Sequence, residues 1–446
     1  MASPGASLQL STQNPLYGSV PAGTVSSDVL SLSLSGALDR GLKQNLGLLS
    51  GNDSVLASQG RRGQSRSYLL PNLSGNVHET DEQLDLDSFG FRFPGVPTVI
   101  GPFNYFDARA SLDQSVVDLS LLRGERAAAG NLDAEKFTLQ DTRELVVLVI
   151  TNSYLQAIAA RARMQTAQAQ TDTAKALYDQ AVDQKNSGVA AGIDLLRAQV
   201  ELQTQQQQLI AAQNDFSKQK LVLARMIGLP LAQEFTLSET APYEPSAVLS
   251  LEDALKAAYA ARADFQSMQA RVRAAASSLG AATAEHLPSL DVHGDYGVVG
   301  VNPADSHGTF TATGEVRIPI FAGNRARADT VVARSELDRS RQQLDDLRAL
   351  IEQEIRTASL DLQSASEQVQ VAGSSVDLAQ QTLTQARDRF RAGVTDNIEV
   401  VQAQEAVART NESYISSLYA YNLARVQLAR AMGSAERSVR EYWKGN

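Results

Sequence analysis

Two long stretches of the chain carry apolar residues at helical spacing and contain no proline. They run from Leu119 to Asn186 and from Asn324 to Arg391. At 1.5 Å per residue, each would extend roughly 100 Å as an α-helix, which is too long for a compact domain. Shorter helical segments accompany each stretch and could stack end to end beside it. The pattern therefore predicts a tall wall of helices rather than one globular core.

A seven-residue period marks the helix that follows each long stretch. The positions are Leu195, Leu202, Leu209, Phe216 and Leu223 in the first case, and Val400, Val407, Tyr414, Tyr421 and Leu428 in the second. A strict period of seven predicts left-handed supercoiling against a partner helix. Small or polar residues mostly lie three positions further on, so only a narrow seam is apolar. The remaining faces can meet water, as both sides of a hollow wall must.

Apolar and polar residues alternate with a period of two in two segments of the second half. Leu290, Val292, Gly294, Tyr296 and Val298 alternate with Ser289, Asp291, His293 and Asp295; Phe310, Ala312, Gly314 and Val316 alternate with Thr309, Thr311, Thr313, Glu315 and Arg317. This is typical of amphipathic strands. The first half has a weaker copy, with Leu73, Gly75 and Val77, then Phe106, Ala108, Ala110 and Leu112.

Four such strands leave two open sheet edges, which pairing with other chains would remove. An apolar outer face and a polar inner face are typical of transmembrane β-barrels, although the signal is weak in each segment. We therefore expect Val292, Tyr296, Phe310 and Val316 to face lipid, and Asp291, Asp295, Glu315 and Arg317 to face the lumen. An amphipathic hairpin that caps a helical bundle explains the same alternation equally well.

The two halves of the chain repeat each other. Leu32 matches Leu249 at an offset of 217, and Ala224 matches Ala429 at an offset of 205, because the first copy holds a longer loop. That loop, residues 79–104, is expected to be an exposed connection. After an extended segment, 1–30, repeat 1 covers 31–230 and consists of a helix, hairpin 72–117, long helix 119–186, tip 187–192 and helix 193–228. A linker, 231–248, leads to repeat 2, 249–433, which consists of a helix, hairpin 289–321, long helix 324–391, tip 392–397 and helix 398–433. A C-terminal segment, 434–446, follows.

Composition and charge exclude several classes of protein. The net charge is −10 and the basic residues are dispersed, which argues against a nucleic-acid partner. The longest apolar run, Leu145 to Ile150, is far shorter than the roughly 20 residues of a membrane-spanning helix, so a membrane crossing must use strands. The first thirty residues lack the pattern of a secretory signal, and an exported protein would have had its signal removed or replaced. The chain also has no cysteine to carry a lipid.

No recognised catalytic or metal-binding pattern is present. The four histidines lack the spacing of a zinc site. Asp85 and Asp87 open like an EF-hand loop, but Val96 stands where that loop needs a glutamate. Nucleotide-binding and hydrolase motifs are absent as well. The sequence therefore predicts no metal, no cofactor and no enzymatic activity.

Paired motifs in the two halves resemble the TolC-type outer-membrane efflux family from residue 30 to 433. They are the Leu-Pro-x-Leu boundaries at Pro71 and Pro288, the strand exit from Ile318 to Asn324, and the turns Lys185–Val189 and Arg389–Val394. Two departures are a missing N-terminal cysteine, which many relatives use to carry lipid, and Ser115 at the place of Pro319.

The resemblance implies an α+β fold that is mostly α-helical, and a homotrimer. Each chain would give four strands to a 12-stranded transmembrane β-barrel and its long helices to a coiled-coil α-barrel in the periplasm. The protein would be the passive exit duct of a tripartite efflux or type I secretion system in the outer membrane of a Gram-negative bacterium. Its partners would be a periplasmic adaptor and, through it, an inner-membrane pump. A soluble coiled-coil scaffold and a helical enzyme are the competing hypotheses.

Two sets of residues are expected to act at the periplasmic end. The hairpin tips would dock the adaptor through Gly188, Val189, Ala190, Gly393, Val394 and Thr395. Asp194 and Glu399 would form a negatively charged aperture that favours cations. As alternatives, the glycines only close the turns, and each acid only stabilises the start of its own helix.

Overall fold

The computed structural model describes residues 14–187, 192–245, 250–392, 394 and 397–444. In this part of the chain the strands are β1 Leu30–Leu32, β2 Asn72–Asp85, β3 Val99–Val117, β4 Phe235–Leu237, β5 Ser289–Gly300 and β6 Ser306–Arg317. The helices are α1 Leu34–Gln44, α2 Leu46–Ser67, α3 Leu119–Asn186, α4 Gly192–Met226, α5 Leu251–Ala261, α6 Ala263–Ala284, α7 Arg325–Arg391, α8 Asn397–Ala431 and α9 Ala435–Lys444. The fold is therefore α+β and mostly α-helical, as the sequence predicts.

The elements of the two halves correspond one to one. Helices α1 and α5 begin 217 residues apart (251 − 34), and so do α2 and α6 (263 − 46). Helices α4 and α8 begin 205 residues apart (397 − 192). Ser33 and Ser250 cap equivalent helices, because each hydroxyl accepts a hydrogen bond from a backbone N–H three residues on. The two offsets are those that the sequence repeat predicts.

The chain divides into two compact units. The first consists of the chain up to Asp53, of Phe137–Phe265 and of the chain from Asp346 onward; the second consists of Ser54–Lys136 and Gln266–Asp345. The core of the first unit contains Leu34, Leu38, Val146, Ile150, Tyr154, Leu223 and Ile227, all at most 1% exposed. The second unit contains the whole four-stranded sheet that is described below.

The expected medium helix of each repeat is broken into two. The breaks fall at Asn45 and Arg262, equivalent residues that both adopt extended backbone and are at most 2% exposed. The side chain of Asn45 accepts a hydrogen bond from the N–H of Gly47 at 2.9 Å and thereby caps α2. The break is possible because a buried polar side chain binds the backbone groups that the interrupted helix leaves free. Neither break position is a proline or a glycine, so the usual sequence signal of a helix end is missing.

At the second break, the charged side chain of Arg262 stabilises the interrupted backbone through ion pairs. Its guanidinium donates two hydrogen bonds to Asp264, at 2.6 and 3.0 Å, and another to Glu354. Burial opposes ionisation of Asp264, but the hydrogen bonds and positive charge of Arg262 outweigh burial and lower the pKa of the carboxyl group. Asp264, in the first turn of α6, in turn accepts a hydrogen bond from the N–H of Phe265.

The segment expected to be a plain linker contains a strand. Strand β4 pairs in parallel with β1, with Leu30 opposite Phe235 and Leu32 opposite Leu237. Each strand is only three residues long, too short to show a period in the sequence. The pairing ties the start of repeat 1 to the segment that joins the repeats.

Four of the ten heptad positions, Leu223, Val400, Val407 and Tyr421, are buried, and the other six are half-buried. Val400 and Val407 pack with Ala379, Leu383 and Ala386 of α7, and Tyr421 packs with Leu362 and Val369. One segment of α3 is long and apolar enough to span a membrane by composition alone, but 61% of it is buried within the protein. That degree of burial is typical of a helix packed in a protein core.

Candidate functional site

The second unit is built around one antiparallel sheet with the order β2-β3-β5-β6. The two hairpins meet through β3 and β5, where Ala110 lies opposite Tyr296. Strands β2 and β6 are the two edges, and within the described part of the chain each has one side without a partner. Since directly opposite residues of an antiparallel pair point to the same face, the register assigns every side chain to a face.

One face of the sheet collects the apolar residues that were expected to face lipid. Tyr296 lies opposite Phe310, Leu290 opposite Val316, and Val292 opposite Gly314. The exposed fractions are 37% for Val292, 69% for Tyr296, 77% for Phe310 and 62% for Val316. An exposed apolar face of this extent is unusual for a water-soluble monomer.

The other face collects the charged residues, which form ion pairs across strands. Arg109 binds Asp295 of β5 at 2.9 Å and Asp107 of its own strand at 2.7 Å. The Nδ1 atom of His293 lies 2.6 Å from Asp113. Asp107 and Asp295, next to Arg109 in the middle of the sheet, are 11% and 22% exposed, whereas His293 and Asp113 are 43% and 58% exposed. The sheet therefore exposes its apolar face as well as much of its charged face, which is unusual for a soluble protein.

The three other predicted lumen residues, Asp291, Glu315 and Arg317, lie on this charged face. Asp291 is opposite Glu315 in the register, and Asp291 accepts a hydrogen bond from the Ser289 hydroxyl at 3.2 Å. Arg317 reaches Glu315 at 3.6 Å. The sheet thus brings all eight predicted barrel residues together on two opposite faces.

The first hairpin has the predicted outer bounds, 72–117, but its two strands are longer than the sequence suggests. The stretch 79–104 was expected to be a connection, but β2 and β3 stay paired out to Asp85 and Val99, and only 86–98 joins them. The register shifts once, where Gly101 and Pro102 stand opposite Gln83. This bulge accommodates the proline, which has no N–H for the ladder. Acidic residues and proline concealed the strands, because strand propensity depends strongly on context.

The EF-hand-like loop of this hairpin is engaged by protein groups. Asp85 accepts a hydrogen bond from the N–H of Asp87 at 3.0 Å, and Asp87 is paired with Arg92. Among the described residues, no group of three or more acidic, histidine or cysteine side chains is placed to hold a metal ion.

Most of the predicted tip residues lie outside the described residues. Those are Gly188, Val189, Ala190, Gly393 and Thr395. Val394 is described and is 68% exposed. Its N–H donates to the carbonyl of Arg389 at 3.0 Å, so this residue closes the turn after α7.

The two predicted aperture acids lie in the first turns of their helices. Asp194 of α4 is 3.5 Å from Arg197, and Glu399 of α8 is 3.5 Å from Arg389. This position is compatible with a charged aperture and also with stabilisation of each acid's own helix start. Each carboxylate has an arginine beside it, which reduces the net charge that the pair of acids can supply.

Next to these acids lies an apolar groove that sequence reasoning missed. It has a volume of about 560 Å³ and is lined by Ile193, Leu196 and Val200 of α4 and by Ile398 and Val401 of α8, with Arg197, Glu201, Gln402 and Glu405. Ile193, Leu196 and Val200 are all more than half exposed. Their spacing of three, four and seven forms a second apolar seam on α4, beside the one that Leu195 begins.

A comparison with protein families agrees with this architecture. The model of the outer membrane efflux protein family matches residues 37–229 and 254–434. The chain belongs to that family. It is an outer-membrane efflux channel protein of the Gram-negative type, with its helical part in the periplasm, and the members it resembles are channels rather than enzymes.

Individual relatives of this efflux protein are distant in sequence. The pyoverdine export outer membrane protein OpmQ of Pseudomonas putida is 23% identical over 335 residues, covering 74% of this chain and 70% of OpmQ. The CmeC outer membrane channel of Campylobacter jejuni matches with a TM-score of 0.79 at 17% identity, covering 97% of this chain and 95% of CmeC. The open-state MtrE channel of Neisseria gonorrhoeae matches with a TM-score of 0.76 at 16% identity, covering 93% and 94%. The TolC-like fold is thus confirmed.

Proposed function

We propose that three copies of this chain close their four-stranded sheets into one 12-stranded barrel in the outer membrane. The observation that carries the proposal is the exposed apolar face of the sheet, on which Tyr296 is 69% and Phe310 77% exposed, while the opposite face collects ion-paired charges such as Arg109 and Asp295. In a lipid environment an exposed apolar face is stable, whereas in water it costs roughly 25 cal/mol for each Å². The charged face then lines a water-filled lumen.

Closure of the barrel would also pair the backbone groups at the two edges of the sheet. Strands β2 and β6 would each leave a row of backbone groups unpaired, and no open edge is tolerated in the hydrocarbon of a bilayer. Pairing β2 of one copy with β6 of the next satisfies both edges. Four strands are too few for a barrel, whereas outer-membrane barrels begin at about eight strands, so closure needs several copies.

We infer further that the protein is a passive duct, driven by an inner-membrane pump that a periplasmic adaptor connects to it. The adaptor would dock on the two tips, with Gly188, Val189, Ala190, Gly393, Val394 and Thr395 as the contact residues. The apolar groove between α4 and α8 supports this assignment, because it offers Leu196 and Val200 to a partner helix beside the tips.

Asp194 and Glu399 are proposed to make the periplasmic aperture cation-selective. Threefold symmetry would bring up to six carboxylates near the axis, which concentrates cations. The double variant Asp194→Asn and Glu399→Gln should reduce cation selectivity in single-channel recordings. Unchanged selectivity would instead assign both acids to the stabilisation of their own helix starts.

The proposed function is tested by adding the purified protein to planar lipid bilayers and measuring its mass in detergent. A channel predicts particles of three copies that need detergent to stay dispersed and that produce discrete conductance steps. A coiled-coil scaffold predicts a particle that is soluble without detergent and gives no conductance. That second result would overturn the proposal.

A further inference from the structure

The first hairpin extends beyond the sheet that forms the proposed barrel wall. Strand β3 pairs with β5 only from Phe106 onward, so Val99–Tyr105 pairs with β2 alone. Seven residues of strand extend about 23 Å. The hairpin therefore projects past the end of β5 and β6, on the side away from the helices. In an outer-membrane channel with its helices in the periplasm, that side is the outside of the cell.

The polarity of the hairpin reverses along this extension. Within the sheet, Asp107 and Arg109 lie on the charged face, and alternation places Tyr105 and Phe103 on the same face. The carboxylate of Asp107 interacts with both Tyr105 and His78, which agrees with that placement. The face that is charged inside the barrel thus becomes aromatic above it.

Strand β2 contributes Thr80, Glu82 and Leu84 to the same face, where they lie opposite Tyr105, Phe103 and Ile100. Only Leu84 of these three is apolar. It is the one half-buried residue of β2; the remaining residues of the strand are exposed. The opposite face of the extension carries acids instead, at Glu79, Asp81 and Asp85.

A glycine keeps Leu84 and Ile100 in register. Gly101 has φ +115°, a conformation that L side chains rarely adopt. A Cβ atom at this position would lie 2.7 Å from the carbonyl oxygen of Glu82. The bulge that shifts β3 by one residue therefore needs glycine here, and it places Ile100 on the same face as Phe103.

We propose that the lumen-side faces of these three extensions pack against one another through Phe103, Tyr105, Ile100 and Leu84 and form a mostly apolar collar that narrows the outer mouth of the channel. The occupant of each face is the same face of the other two copies. Phe103 and Tyr105 are 36% and 43% exposed in a single chain, and outside the membrane this surface meets water unless another copy covers it.

Two features favour other copies over the outer leaflet as the occupant. The face is continuous with the row of Asp107 and Arg109, which borders the proposed lumen rather than lipid. The side that would meet anionic headgroups carries three acids, Glu79, Asp81 and Asp85, whereas the lumen-side face carries Glu82 alone, so repulsion by like charges disfavours lipid. Two-stranded ribbons also twist strongly, which allows the extensions to lean toward the axis.

The inference rests on the proposed trimer, and adjacent residues of one strand provide the test. The chain has no cysteine, so Phe103→Cys and Asn104→Cys each give a single thiol at a known place. Trimers in outer-membrane vesicles are treated with a short bifunctional maleimide and separated under denaturing conditions. Cross-linked copies are expected from Phe103→Cys, and few or none from Asn104→Cys, whose side chain lies on the opposite face.

A conductance measurement accompanies the cross-linking. Phe103→Ser together with Ile100→Ser removes apolar surface from the collar and should raise the single-channel conductance, whereas Asn104→Ser should leave it unchanged. Equal cross-linking at 103 and 104, or no difference in conductance between these variants, would overturn the collar while channels still form. Failure of the proposed function is seen separately, as an absence of trimers and of any conductance from the unaltered protein.

Discussion

Buried polar residues at the two helix breaks are the least predictable residues of the fold. Asn45 and Arg262 occupy equivalent places in the two repeats, yet one acts as a neutral cap and the other through its charge. Nothing in their sequence neighbourhood shows that these side chains are buried. Their partners come from distant parts of the chain, such as the carbonyl of Leu16 for Asn45 and the carboxylate of Glu354 for Arg262.

Replacement of Arg262 should destabilise the first unit strongly. Arg262→Ala leaves Asp264 and Glu354 without their common partner, at an expected cost of about 2–4 kcal/mol, with Glu354 partly solvated. The exposed Arg356, which pairs with Glu352 on α7, is the matched control and should cost at most about 0.5 kcal/mol. Thermal unfolding in detergent measures both. Similar costs for the two variants would contradict the buried role of Arg262.

Glu436 predicts how the stability of the first unit depends on pH. Hydrogen bonds from Arg143 lower the pKa of this carboxyl group below its usual value of 4.5. The carboxylate therefore stabilises the folded state fully above pH 4.5, and this contribution is lost as the pH falls through the lowered pKa.

Glu436→Gln should accordingly lower the melting temperature at pH 7 and have little effect near pH 3, where the unaltered carboxyl group is itself being protonated. Glu441→Gln, at an exposed position of the same helix, is the control and should change little at either pH. A loss of equal size at both pH values would show that Glu436 contributes by packing and not by charge.

At the scale of elements, helices and strands whose hydrophobic period repeats many times could be predicted from the sequence. Short or irregular elements could not. The long helices α3 and α7 and the hairpin β5–β6 follow from such periods. The three-residue strands β1 and β4 were missed because their pairing is non-local. The extension of the first hairpin was missed because acidic residues and Pro102 mask its alternation. Its fold is set by pairing of the backbone.

The tips offer a prediction for elements rather than single side chains. With both turn glycines kept, Val189→Asp and Val394→Asp should leave an intact, inserted trimer that no longer captures its adaptor or supports export. Charged side chains would disrupt an apolar contact made by residues such as Val394, which is 68% exposed.

The conservative pair Val189→Ala and Val394→Ala serves as the control and should retain adaptor capture, because small apolar side chains remain. Co-purification with the adaptor and an efflux assay provide the readouts. Normal export from the aspartate variant would refute docking at the valines and leave the glycines with the simple role of closing the turns.

At the scale of the whole molecule, the described sheet has two edge strands without a partner and an exposed apolar face. In the proposed barrel, other copies cover the edges and lipid covers the apolar face. The sequence indicates this arrangement through the alternation of β5 and β6 and through the repeat. The partner strands would come from other chains, so one sequence does not specify how many copies close the ring. The family provides that expectation.

The central claim is that opposite faces of the sheet meet lipid and water, and cysteine labelling tests it most directly. Tyr296→Cys and Asp295→Cys place one thiol on each face at adjacent positions of β5, in a chain without other cysteines. In proteoliposomes, Tyr296→Cys should react with a lipid-soluble maleimide and resist a water-soluble one. Asp295→Cys should show the reverse. Equal labelling of both positions by the water-soluble reagent would contradict the barrel.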